Sequence, residues 1–250
     1  MSEVLLELKE HVAVITLNAP ERRNAINPEM TRLLVSIIEQ VDANRDIGAA
    51  VIQGAGSSFC AGADRRVLAA RGDNPNRLAP DDPGEGYQAF MRVGEMKVPT
   101  VAAVRGYAVG AGVNLAFATD LRIVAEDAVL RSGFLRIGIH PGGGHFVLVG
   151  RTGGREVASA MGLFGQDLSG RRAAELGAAW EAVPSEQVEA RALELARTAG
   201  ADPELARATV KSMHLELGPP AASWAAAVEM ERATQSWSLF RREHRAEPTT

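Results

Sequence analysis

The stretch RGYAVGAGVNLAFATD, Arg105 to Asp120, follows the short apolar run VPTVAAV and indicates the fold class. An apolar run that passes through glycines into an apolar helical segment is typical of a strand-to-helix turn. A second turn of this kind occurs earlier, where VIQ leads into GAGSSFCAGAD. Strand and helix signals alternate as far as DLRIVAE, and the sequence therefore predicts an α/β core with parallel strand pairing.

Other segments complete this outline. VLLELKEHVAVITLN predicts a hairpin around Lys9–His11, and Asn27 followed by Pro28 predicts the start of a helix. After GIHPGGG the remaining segments have helical spacing, so the last part of the chain is expected to be helical. We place a domain boundary near residue 190, with a core at 1–190 and a C-terminal helical region at 191–250.

Composition argues against several classes of function. The 250 residues are 46% hydrophobic and 23% charged, which is enough for a core that needs no disulfide or metal. The net charge of −4 gives no general attraction to nucleic acid or to a membrane surface. Cys60 is the single cysteine, and no apolar run approaches the roughly 18 residues of a membrane span. A reducing, cytoplasmic location is expected.

Both glycine-rich turns offer backbone amides to a ligand. The first N–H groups of a helix have no partner within the helix, and small residues let a ligand oxygen approach them. Two such donors that meet at one point form an oxyanion hole, worth about 3–4 kcal/mol per donor in a transition state. Turn geometry alone would also explain either turn. A dinucleotide site fits poorly because Leu115 stands at the third glycine position of that motif.

Four motifs in order, APERRNAI, GSSFCAGAD, VAAVRGYAVGAGVNLAFATDLRIVAEDA and RIGIHPGGG, resemble the crotonase (enoyl-CoA hydratase/isomerase) superfamily. The resemblance covers roughly residues 5 to 185. It implies an α/β, crotonase-like spiral of ββα turns with a C-terminal helical trimerisation region, and self-association as a trimer or hexamer. It also implies an acyl-CoA thioester as substrate, with no further cofactor, and a lyase or isomerase reaction in fatty acid metabolism.

The resemblance also assigns the site. The oxyanion-hole amides would be those of Ala63 and Ala111, the second of which follows Gly110. The positions that contact coenzyme A in the family fall on Arg23, Ala25, Ala61, Asp64 and Arg65. Arg65 departs from the usual apolar residue, and a solvated surface charge explains Arg23 as well as a phosphate contact does.

The usual carboxylates of the family are absent. Hydratases of this family use two glutamates, and here those positions hold Asn114 and Phe134. Some isomerases place a carboxylate instead at the position of Gly142. An amide does not take a proton at neutral pH and a phenyl ring cannot, so ordinary hydration is not expected. Three roles are open to Asn114 with equal weight: it orients a water, it orients the substrate, or it bonds to a neighbour.

Few other residues offer acid–base chemistry near these motifs. His140 is the nearest titratable group by motif position, and the alternative is a turn histidine bonded to backbone. His145 reads as a helix cap or packing residue, and Asp120 as a structural carboxylate. Ser57 and Ser58 lack the chain order of a Ser/His/Asp triad. Two hypotheses follow: an enzyme that stabilises a thioester enolate, or a non-catalytic acyl-CoA carrier or sensor.

Overall fold

The computed structural model describes residues 2–64 and 85–218. Arg65, most of the predicted loop at 71–86 and the predicted last helix lie outside the described residues. The strands in the described ranges are β1 (Val4–Lys9), β2 (Val12–Leu17), β3 (Ala49–Gly54), β4 (Thr100–Val104), β5 (Tyr107–Val109), β6 (Leu121–Ala125), β7 (Val129–Arg131), β8 (Leu168–Ser169) and β9 (Glu181–Val183). The helices there are α1 (Pro28–Ala43), α2 (Glu85–Gly94), α3 (Ala111–Phe117), α4 (His145–Gly162), α5 (Gly170–Glu175), α6 (Val188–Gly200) and α7 (Pro203–Leu217).

Six strands form the main sheet, in the order β1-β2-β3-β4-β6-β9. The hairpin β1–β2 is antiparallel, and each later neighbour pair is parallel. Strands β5, β7 and β8 form a second sheet in which β5 and β7 are parallel. The predicted hairpin and the predicted parallel α/β pairing are therefore confirmed.

The two faces of the main sheet bury different helices. Val12 and Val14 of β2 belong to a core cluster that includes Val188, Ala192 and Ala196 of α6. Residues of opposite parity, such as Ala13 and Ile15 of β2, belong to a larger cluster that includes residues of α1, α2 and α3. Because side chains alternate along a strand, β2 is buried on both faces, as expected for a strand inside a parallel sheet.

Helix α1 starts where the sequence predicts. Asn27 is its N-cap, and its side-chain oxygen accepts a hydrogen bond from the Met30 amide at 2.7 Å, with Pro28 at the first helical position. At the other end of α1, the buried guanidinium of Arg207 from α7 donates to carbonyl groups of the last helical turn and the following loop, where the helix itself supplies no amide partners. Its acceptors are the carbonyls of Val41, Asp42, Asn44 and Ile47, at 2.7–3.1 Å.

The prediction of a wholly helical last part is wrong in one respect. The four helices expected between GIHPGGG and residue 218 are present, but β8 and β9 lie among them. Strand β9 extends the main sheet beside β6, and β8 pairs with β7. Strands of two or three residues are too short to show a period of two, and sheet pairing alone defines them. The boundary near residue 190 stays a prediction and falls inside α6.

Within the described ranges, none of the helices combines the length and the apolar character needed to cross a membrane. The same part of the chain contains no group of three or more His, Cys, Asp or Glu side chains placed to hold a metal ion.

Candidate functional site

The first glycine-rich turn is built from two segments that run side by side. The Ala61 amide donates to the Arg23 carbonyl at 2.9 Å, and the Ile26 amide donates to the Gly62 carbonyl at 2.7 Å. The Asp64 amide in turn donates to the Ile26 carbonyl at 2.8 Å. The positions that the resemblance assigns to coenzyme A contact, apart from Arg65, are therefore neighbours in space.

Asn24 locks these two segments together. Its side chain is fully buried, and its Nδ2 donates to the carbonyls of Ala55, Ser58 and Phe59 at 2.8–3.2 Å. Its Oδ1 accepts from the Ala19 amide at 2.9 Å. The resemblance includes this position in the stretch Arg23–Ala25 that contacts coenzyme A but assigns its side chain no structural role, although an asparagine in a loop that enters a helix is a candidate for bonds to backbone groups.

The second glycine-rich turn packs directly against the first. The Val109 amide donates to the Cys60 carbonyl at 2.9 Å, and Cys60 forms a parallel bridge with Ala108. Gly62 has φ 92°, and a Cβ there would lie 2.6 Å from the Val109 carbonyl oxygen and 3.6 Å from the Ala111 nitrogen. Only glycine fits this close approach.

The amides of Ala63 and Ala111 stand where the two turns meet. The bridge between Ile26 and Ala63 uses the carbonyl of Gly62 and the amide of Asp64, so the Ala63 amide points away from Ile26. Ala111 is the first residue of α3, a position whose N–H has no partner within the helix. Neither amide has a hydrogen-bond partner among the described residues. Both are therefore available to an external acceptor.

Asn114 lies in a buried chain of hydrogen bonds. Its Nδ2 donates to the Gly142 carbonyl at 3.0 Å, and its Oδ1 lies 2.8 Å from His145 Nδ1. His145 Nε2 lies 2.5 Å from Ser132 Oγ. Burial lowers the pKa of His145 to about 4, so the imidazole is neutral at pH 7. Reading His145 as a cap or packing residue misses these bonds, and Ser132 carried no sequence signal that we used.

Aromatic side chains occupy the space at the other two usual carboxylate positions. Phe134 lies beside Gly110, where a Cβ would be 3.8 Å from the end of the phenyl ring, and the ring meets the His145 imidazole edge to face. A Cβ at Gly142 would lie 2.4 Å from the Tyr87 hydroxyl oxygen. Tyr87 thus fills the space into which a carboxylate at residue 142 would extend.

The remaining predicted site residues differ in their surroundings. His140 is exposed, and its Nδ1 lies 2.6 Å from the carbonyl oxygen of its neighbour Pro141 rather than bonding to Asn114. Arg23 is exposed and has φ 54°, whereas Ala25 and Asp64 are buried. The structure thus brings His145, and not His140, into contact with Asn114.

Asp120 and Cys60 have structural surroundings. Asp120 accepts from the Thr100 amide and hydroxyl at 2.8 and 2.7 Å, and its other oxygen lies 2.9 Å from His214 Nε2. Burial raises the pKa of the Cys60 thiol to about 12, which leaves it protonated and unreactive at neutral pH.

Comparisons with known proteins agree with this geometry. The sequence model of the enoyl-CoA hydratase/isomerase family matches residues 7–239. A probable enoyl-CoA hydratase of Mycobacterium tuberculosis, EchA14, is 40% identical over 222 residues, which are 86% of this chain and 83% of the relative. The 1,2-epoxyphenylacetyl-CoA isomerase of Escherichia coli is 34% identical over 216 residues, 84% of this chain and 81% of the relative.

Solved structures show the same fold. An enoyl-CoA hydratase from Bacillus anthracis superimposes with a TM-score of 0.85 at 25% identity, over 94% of this chain and 90% of that one. A probable enoyl-CoA hydratase/isomerase from Mycobacterium abscessus gives 0.83 at 27% identity, over the same two shares. With the family match spanning most of its length and its strands and helices in this arrangement, the chain belongs to the crotonase (enoyl-CoA hydratase/isomerase) superfamily.

Proposed function

We propose that the protein binds an acyl-CoA thioester and stabilises its enolate in an oxyanion hole formed by the amides of Ala63 and Ala111. The observation that carries this proposal is the pair of unbonded amides at the junction of two glycine-rich turns. A thioester carbonyl that accepts both hydrogen bonds gains negative charge on oxygen, and its α-carbon becomes more acidic. Each donor contributes about 3–4 kcal/mol to such a transition state.

The neighbouring segment supports coenzyme A as the carrier of the acyl group. Arg23 is exposed at the edge of this site, and its carbonyl holds Ala61 two residues before the Ala63 amide. A guanidinium there can pair with a phosphate while the backbone beside it contacts the rest of the ligand. A single exposed ion pair contributes little to binding energy, so we assign Arg23 the role of positioning the coenzyme A phosphate.

The reaction differs from glutamate-based hydration in this proposal. Asn114 donates to Gly142 and accepts from His145, and an amide cannot take a proton at neutral pH, so it does not replace a glutamate base. Phe134 places an apolar ring beside the turn. A hydratase or isomerase reaction would need another acid and base, and His140 is the exposed candidate.

A two-part experiment tests the proposal. Crotonyl-CoA and longer enoyl-CoAs are mixed with the protein, and loss of the conjugated absorbance is followed while calorimetry measures binding in parallel. Turnover that disappears in His140→Ala identifies an enzyme with a displaced base. If no coenzyme A thioester binds, the proposal is refuted.

The second candidate function is a non-catalytic acyl-CoA carrier or sensor. The apolar ring of Phe134 and the amide of Asn114 favour it, because neither can transfer a proton at the positions where hydratases of the family have glutamates. Binding of enoyl-CoA without turnover, and without any other change to the thioester, supports this candidate.

We also propose that the chain self-associates as a trimer or hexamer. Two adjacent loops are linked by the Arg136 guanidinium, which donates to the Gly165 carbonyl at 2.9 Å. These loops and the start of α4 expose large apolar side chains, namely Leu135, Ile137, Ile139, Phe146, Val147, Leu163 and Phe164. Exposed apolar patches of this kind mark association surfaces. Light scattering coupled to gel filtration measures the mass, and a monomer at all concentrations refutes the proposal.

A further inference from the structure

Ser132, His145 and Asn114 form a hydrogen-bonded chain with the chemical order of a nucleophile, a base and an orienting residue. Ser132 follows strand β7, His145 is the first residue of α4, and Asn114 lies on α3. Their residues are 3%, 1% and 1% exposed. Three elements that are distant in sequence therefore bring these side chains together in a water-poor interior, where hydrogen bonds are electrostatically stronger.

The hydrogen-bond partners fix the direction of each bond. The Gly142 carbonyl can only accept, so the Asn114 nitrogen faces it and the Asn114 oxygen faces His145. That oxygen also can only accept, so His145 carries its proton on Nδ1. The His145 Nε2 lone pair then faces Ser132, whose hydroxyl must donate to it. This is the tautomer in which a histidine can remove a proton from a serine.

The chain of hydrogen bonds borders the second glycine-rich turn. The Gly110 amide donates to the Arg131 carbonyl at 2.9 Å, and a Cβ at Gly110 would lie 3.5 Å from the Ser132 carbonyl oxygen. Gly110 directly precedes Ala111, whose backbone amide belongs to the proposed oxyanion hole. The backbone N–H of Asn114 donates to the Gly110 carbonyl at 3.1 Å. The Ser132 backbone and the proposed oxyanion hole therefore flank the same residue.

We propose that Ser132 is a nucleophile for acyl-CoA thioesters and that the protein hydrolyses them through an acyl-serine intermediate. This inference rests on the proposed function, because the amides of Ala63 and Ala111 must hold the thioester carbonyl. It adds a thioesterase activity that neither the family match nor the names of the relatives assign. His145 acts as the base, and Asn114 is a positioning residue that sets its tautomer.

The reaction balances without an external oxidant or reductant. Ser132 Oγ attacks the thioester carbon while its proton passes to His145 Nε2, and the oxyanion is held by the two amides. The carbon–sulfur bond then breaks, and the coenzyme A sulfur leaves with the proton from His145. Water attacks the acyl-serine, gives a proton to His145 and releases a carboxylic acid, and that proton returns to Ser132 Oγ.

The surroundings of the histidine predict a slow reaction. Burial keeps the imidazole neutral, so the form that accepts a proton is present throughout the neutral range. A base with so low a pKa has a weak driving force for proton removal, since efficiency is highest when the pKa is near the working pH. We therefore expect both steps to be slow, and hydrolysis of the acyl-serine to be the slower one, because an oxygen ester is less reactive than the thioester that forms it.

The test measures free thiol release and acyl attachment separately. The full chain is mixed with acetyl-, hexanoyl- and decanoyl-CoA, a thiol-reactive dye follows coenzyme A release, and mass spectrometry of the intact and digested protein locates the acyl group. We expect thiol release with an acyl group on Ser132. The Ser132→Ala variant should lose the adduct, and its rate of thiol release should fall by about 100-fold or more.

Two further variants separate chemistry from folding. Ser132→Cys should give an adduct at residue 132, because a thiol also attacks thioesters; absence of an adduct would show that this side chain does not reach the thioester carbon. Ser36→Ala, at an exposed position on α1, should match the unchanged protein. If calorimetry shows acyl-CoA binding but no thiol is released, or release persists in Ser132→Ala, the inference fails and the proposed binding function stands. If no acyl-CoA binds, both fail.

Discussion

Replacing Ala111 with proline tests the oxyanion hole by removing one backbone N–H. Ala111 is the first residue of α3, where proline is well tolerated, and its amide has no partner among the described residues. The preceding Gly110 has φ 52° and ψ −111°, which lies outside the right-handed helical region that a following proline disfavours. The fold should therefore keep its hydrogen bonds while the proposed site loses one of two donors.

The kind of hydrogen bond that is lost determines how much binding and reaction rate should change. A neutral hydrogen bond to a ground-state thioester carbonyl contributes about 1 kcal/mol, and the proline Cδ takes the place of the lost hydrogen, so acyl-CoA binding should weaken by at least about fivefold. Any reaction that passes through an oxyanion or enolate should slow by about 100- to 1000-fold or more, since a donor to developing charge is worth more. The variant should therefore lose more in rate than in affinity.

Calorimetry with crotonyl-CoA measures the affinity, and the absorbance shift of a bound conjugated thioester measures polarisation of its carbonyl. Ala111→Gly is the matched control, because it keeps the N–H and changes only the side chain. Thermal unfolding checks that both variants are folded. A proline variant that binds, polarises and turns over the thioester like the control would show that this amide does not contact the carbonyl.

Four other predictions follow from the surroundings of single side chains. Arg207→Met should lower the free energy of unfolding in urea by roughly 3 kcal/mol or more, because several buried carbonyls at the end of α1 lose a charged donor. The hydrogen bond that His214 donates to Asp120 raises the pKa of His214, so the stability that this pair contributes is full below the ordinary histidine pKa. That contribution should fall as the pH rises through the raised pKa. In urea unfolding, the free energy of unfolding of His214→Ala should therefore change less with pH over this range. The pKa of His145 is instead lowered to about 4. Between these two pKa values the unfolded chain binds a proton at His145 that the folded chain does not bind. The free energy of unfolding should therefore fall by roughly 3 kcal/mol as the pH is lowered from the ordinary histidine pKa to 4, and His145→Gln should show a smaller fall. Finally, Asn114→Glu alone should not restore hydration of crotonyl-CoA, since the second carboxylate position still holds an apolar ring; robust hydration by this variant would contradict our description of the pocket.

The parts of the fold that depend on local chemistry could be predicted from the sequence. Asn27 and Pro28 carry a capping signal that needs no tertiary information, and the alternation of strands with glycine turns predicts parallel pairing. Strands β8 and β9 could not be found in this way. Their two and three residues form strands only because β7 and β6 are already in place beside them.

The candidate site also contains parts that could be predicted from the sequence and parts that could not. Motif order indicated the two turns, and the amides of Ala63 and Ala111 were assigned by resemblance before any geometry was available. The bonds of Asn114 to His145 and of His145 to Ser132 join residues 31 and 13 positions apart, and no periodicity connects them. Position in a motif favoured His140, whereas tertiary packing selected His145 as the partner of Asn114.

The contact between Gly142 and the Tyr87 hydroxyl constrains how this site can change. A first side-chain carbon at residue 142 would overlap that oxygen, at 2.4 Å, so an aspartate cannot be introduced while the tyrosine keeps its place. A smaller residue at 87 or a displaced ring makes the room that is needed. A carboxylate at that corner therefore depends on the position of the Tyr87 ring, and mutagenesis at 142 is best combined with a smaller residue at 87.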